Sequence, residues 1–163
     1  MRSDRKLIIL SIGSVLTIVS PMSFASSQAA ERTIAGAWRT AVTLVNCQSG
    51  LPVGAPTFPG LATFQDGGTM SEFGVGPGSS PALRSPGHGV WQRELGWQDY
   101  SFTFIHYRYD ASGAFIGSQR VTAALELAAS GDAYASKAVV EILGVNNSVI
   151  ATACATSAAT RIE

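Results

Sequence analysis

Two histidines and two cysteines are the residues of this 163-residue chain with the widest chemical range, and the positions of all four restrict what they can do. His88 and His106 with a carboxylate such as Glu94 or Asp99 could in principle bind zinc, but nothing approaches the close ligand spacing of a metal site, and no metal is expected. His106 falls in an alternating run, where Tyr100, Phe102, Phe104, His106 and Arg108 share one face and Ser101, Thr103, Ile105, Tyr107 and Tyr109 the other. If the first face points inward, His106 and Arg108 are polar groups set in an aromatic pocket, where they would orient a ligand. Periodicity alone does not decide which face is inside. No serine sits in a Gly-x-Ser-x-Gly elbow. Gly74-Val75-Gly76-Pro77-Gly78 is not followed by a helix that could present amides to a phosphate. No catalytic residue and no cofactor is assigned. His106 and Glu94 are the side chains a catalytic reading would have to use.

The cysteines depend on the compartment. Arg2, Arg5 and Lys6 precede the apolar residues 7–19, and Ser23-Phe24-Ala25 supplies small residues where a signal peptidase cuts. Residues 1–25 are therefore expected to be a signal peptide, with Ala30 as the second choice of cleavage site. The apolar run is short for a bilayer span. The mature protein is expected to be exported, periplasmic or extracellular, with no membrane anchor and a small acidic excess. In such a compartment Cys47 and Cys154 are expected to form a disulfide, the alternative being two buried thiols. Residues 26–33 are polar and expected to be a flexible lead-in to a single domain over residues 34–163.

Composition points to β structure. Hydrophobic residues make up 46% and charged residues 13%, there are 17 glycines, and the net charge is zero, which leaves no electrostatic footprint for nucleic acid. Alternating runs are expected at residues 37–47, 61–64, 69–73, 88–94, 100–109, 115–127, 134–142 and 148–162. Turn residues separate nearly all of them, and Asp66-Gly67-Gly68 is a hairpin signal. Residues 74–87 hold three prolines and read as a long loop, of the kind that is functional or mobile. Eight strands joined mostly by tight turns favour an all-β, antiparallel, up-and-down barrel closed by the first and last strands. A register test supports closure. Facing residues of an antiparallel pair have numbers of constant sum, and the Cys47/Cys154 and Trp38/Arg161 pairs agree to within one residue step on each strand. A basic side chain over a tryptophan at the barrel floor would add a cation–π contact of about 0.5–2 kcal/mol.

Gly36-Ala37-Trp38 at the head of the first strand, the eight-strand meander and Arg161 near the end of the last strand resemble the calycin superfamily. Lipocalin-like and allene-oxide-cyclase-like barrels are the members of similar topology and size. Residues 61–69 and 87–91 also resemble small exported bacterial barrels. The resemblance implies that Gly36, Trp38 and Arg161 are structural and close the floor, and that a small hydrophobic ligand occupies the cup. Phe102, Phe104, His106, Arg108 and Trp91 are the candidate ligand contacts. A non-catalytic interaction barrel, suited by the small Ala151, Ala153 and Ala155, and a cyclase- or isomerase-like enzyme are the alternative functions.

Overall fold

The structure, a computed structural model, describes residues 33–163. The expected signal peptide and most of the polar lead-in lie outside the described residues. The chain forms eight strands in order: β1 (Gly36–Val45), β2 (Phe58–Phe64), β3 (Thr69–Gly74), β4 (Gly87–Arg93), β5 (Asp99–Tyr109), β6 (Phe115–Leu127), β7 (Ala133–Leu143) and β8 (Val149–Arg161). Each pairs antiparallel with its sequence neighbours, and β1 pairs with β8 to close the barrel. The all-β, up-and-down architecture expected from the alternation is therefore present, and closure leaves no strand edge open.

The closing register places Trp38 opposite Arg161 and Val45 opposite Cys154. Cys47 lies just beyond β1 and reaches back to Cys154, with a Cα–Cα separation of 5.1 Å. The 46–57 connection is held against the end of β1, where Val53 N donates to the Leu44 carbonyl. This places the disulfide at the end of the barrel opposite Trp38.

That floor is densely packed. Trp38, Ile34 and Leu127 are fully buried, and Trp38 meets Tyr134 edge-on with ring centroids 4.9 Å apart. The indole Nε1 donates to the Ile34 carbonyl at 2.9 Å. Arg161 seals this end. Its guanidinium lies 4.3 Å from the Trp38 ring centroid and donates to the carbonyls of Thr33, Ala35 and Gly131 at 2.7–3.0 Å. Gly36 sits under that guanidinium with φ +131°, and a Cβ there would lie 2.5 Å from Arg161 Nη1. Gly36→Ala therefore combines backbone strain with displacement of the cap. Its expected cost is about 2 kcal/mol in a denaturant titration, against a few tenths for an exposed glycine with an ordinary φ.

Apolar and aromatic side chains dominate the inward faces, while Arg39, Asp99, Glu126 and Lys137 are exposed outside, together with apolar residues such as Leu61, Val90 and Val139. Among the described residues, no helix is long and apolar enough to cross a membrane.

Candidate functional site

Strand pairing decides which face of β5 is inside. Tyr100, Phe102, Phe104 and His106 are buried, whereas Ile105 and Tyr107 are exposed. The reason lies across the neighbouring strands. Reading across the sheet, Phe102 faces Ala123, Ala123 faces Ala138, Ala138 faces Ala155, and Ala155 faces Leu44. One row further toward the mouth, Phe104 is followed by Val121, Val140 and Ala153. Aromatic rings thus project from one wall toward alanines and valines on the other, and the space between stays open. The result is an internal cavity of about 340 Å³. That is at the lower end of the roughly 300–1,000 Å³ typical of small-molecule sites.

Phe104 packs against the inward positions Gly87 and Gly89 of β4, where no side chain stands in its way. A Cβ on Gly87 would meet the Phe104 ring at 2.9 Å, and one on Gly89 would run into the Thr103 carbonyl. The floor side of the cavity is closed by Phe64, Tyr134 and a hydroxyl pair, Ser136 to Ser157 at 2.7 Å.

The long connection 75–86 forms part of the mouth. It contains a short 3-10 turn, Pro81–Leu83, and then runs beside the end of β5. Ser85 N donates to the Tyr107 carbonyl at 3.0 Å, Tyr107 N donates to Ser85 Oγ at 2.9 Å, and Arg84 forms a β-bridge with Arg108. Arg84 turns its guanidinium into the barrel. There it donates to Glu72 Oε2 at 2.7 Å and to the Gly74 carbonyl. Leu83, Arg84 and Pro77 from this connection line the cavity.

Four ionisable groups therefore gather at the upper end of an apolar cavity: Glu72, Arg84, His106 and Arg108. Burial pushes the Glu72 carboxyl above its ordinary value, outweighing the attraction of Arg84. Burial, together with Arg84 and Arg108, pulls His106 down to about 4, against the opposing influence of the Tyr107 carbonyl, which lies 3.2 Å from Nδ1. His106 is thus neutral at physiological pH. Its folded pKa lies below the unfolded value, so the unfolded chain binds the extra proton first, and stability falls as pH drops from about 6.5 to about 4. Glu72, whose carboxyl is raised rather than lowered, acts in the opposite direction as pH falls. Comparison of the wild type with His106→Gln isolates the histidine. The variant is expected to lose roughly 2 kcal/mol less over this range, because cavity solvent screens part of the full shift; denaturant midpoints at successive pH values measure the difference.

The candidate residues separate into two groups. Phe102, Phe104, His106 and Arg108 come together on the cavity wall. Trp91 sits near the floor, packs edge-on against Phe64 at 6.1 Å, and donates its Nε1 to the Gln65 carbonyl; it does not line the cavity. His88 is exposed on the outer surface and cannot converge with the buried His106. Glu94 is exposed too, and hydrogen bonds from Gln92 and Ser101 hold its carboxyl below the usual range. Glu72 and Arg84 escaped the sequence reading. Glu72 follows Met70 on the inward period of β3, a signal visible only once that short strand is known to belong to the wall.

Neither a protein-family model nor a curated protein matches the chain. What the geometry defines is a closed, eight-stranded antiparallel barrel with an internal cavity and a disulfide at its mouth, compatible with a calycin-like fold.

Proposed function

We propose that this protein is an exported calycin-type barrel that holds a small apolar molecule in its interior. The observation that carries this reading is the cavity itself, walled by Phe102, Phe104, Val121 and Val140 and left open by the small Ala138, Ala153 and Ala155. Interiors of small barrels are ordinarily filled by side chains. Here alanines stand where larger residues would close the space, at a cost in burial that ligand occupancy would offset. The Cys47–Cys154 bridge is consistent with an oxidising compartment and so with export.

Ala138→Trp tests the reading. The side chain enters the cavity from the middle of the alanine row. Binding of an apolar, environment-sensitive dye such as Nile red is expected to fall at least tenfold, while the thermal transition stays cooperative with a loss of about 1–3 kcal/mol from overpacking. Unchanged dye binding in a folded variant would place the dye outside the barrel and remove the support for a carrier.

A second reading, an interaction barrel, has its own observation. Leu51, Val53, Phe115, Val145 and Ile150 are exposed in or beside the connections at the mouth end. Dye binding that survives Ala138→Trp and is lost when Val145 and Ile150 are made polar would favour it.

A further inference from the structure

The charges of the cavity do not balance. Arg84 and Glu72 neutralise each other at 2.7 Å. His106 is buried and lines the same cavity as both arginines. Arg108, on the same inward face of β5, lines the cavity, and its guanidinium has no hydrogen-bond or ion-pair partner among the described residues. Gln119, the register partner of His106 on β6, adds an uncharged polar group to the same wall. The upper cavity therefore presents one uncompensated guanidinium above an apolar, aromatic chamber.

We propose that the natural ligand is an amphipathic carboxylate, with its apolar body among Phe102, Phe104 and the alanine row and its carboxylate on the Arg108 guanidinium. This assignment rests on the internal-site reading above. A wholly apolar ligand filling the chamber would displace water from the guanidinium and give it no partner in exchange. A carboxylate matches the planar guanidinium fork with two parallel hydrogen bonds and one opposite charge. A phosphate monoester brings nearly two charges to a site that offers only one unpaired cation. The Glu72 carboxylate already occupies Arg84, so the head group is directed to Arg108 rather than shared between the arginines.

Calorimetric titration with decanoate, decanol and decyl phosphate separates the possibilities. The wild-type protein is expected to bind decanoate on the order of tenfold to a hundredfold more tightly than decanol, and more tightly than decyl phosphate. Arg108→Gln is expected to bring decanoate down to the decanol level and leave decanol unchanged. Arg108→Lys should fall between, since the charge remains and the fork is lost. Equal affinity of the wild type for acid and alcohol, with both lost in Ala138→Trp, would overturn the head-group assignment while the internal site stands. Preference for decyl phosphate would overturn the carboxylate. Failure of all three compounds to bind would overturn both the assignment and the internal-site reading.

Discussion

Removing the Cys47–Cys154 bridge is expected to destabilise the barrel by about 3–4 kcal/mol. The bridge ties residues 107 positions apart in sequence, nearly the whole length of the barrel domain. The chain-entropy argument assigns roughly 4.7 kcal/mol to a loop of about 100 residues, which serves as an upper figure because a reduced, unfolded chain retains some compactness. β1 and β8 also meet through their own ladder, so the native state should keep its shape without the bridge and lose it at lower denaturant. Cys47→Ser/Cys154→Ser and the reduced wild type should show the same lowered urea midpoint. A midpoint unmoved by reduction would mean that strand pairing alone sets the stability of closure. The same substitutions should leave dye affinity within a few-fold, because neither cysteine lines the cavity.

The other large effect lies at the opposite end. Arg161→Ala is expected to cost about 3 kcal/mol, or roughly 10 °C in thermal midpoint. The substitution removes donors from the Thr33, Ala35 and Gly131 carbonyls and the cation from the Trp38 face. Each charge-assisted hydrogen bond is worth about 1.5–3 kcal/mol, and the cation–π contact about 1 kcal/mol. Part is recovered as water reaches the freed carbonyls at this edge of the barrel. Arg161→Lys should restore less than half, because an ammonium cannot span three carbonyls in one plane. A loss within 0.5 kcal/mol for Arg161→Ala would show that Trp38 and Tyr134 close the floor without the cap.

Much of this architecture is legible in the sequence, because strands on a closed barrel must alternate and must sum to a register. Trp38 and Arg161 fall directly opposite each other, and the cysteines differ from that register only because Cys47 lies beyond the end of β1. The inward face of β5 was not legible. Both of its faces carry aromatics, and the choice is made by what lies across the sheet, where Ala123, Ala138 and Ala155 line up only after three registers are known. Ala153 and Ala155 suggested close packing of the last strand in the sequence, yet they line the cavity and help keep it open. Arg84 was the least legible, since it lies in a proline-rich connection without periodicity. Its place is fixed by a β-bridge to Arg108 and an ion pair to Glu72. Trp91 shares a cluster with Phe64 and Tyr100 rather than the chamber, a distinction set by height along the barrel axis, which alternation does not report.

The central claim is that the barrel interior is a ligand site. Backbone amide shifts followed by NMR during a decanoate titration test it most directly. Saturable binding at one molecule per barrel is expected, with the largest shifts at Phe104, His106, Val121, Ala138 and Ala155 and small ones at the exposed Arg39 and Asp99. Shifts that fail to saturate, or that concentrate on the outer surface while the amides of β5, β7 and β8 stay still, would contradict it.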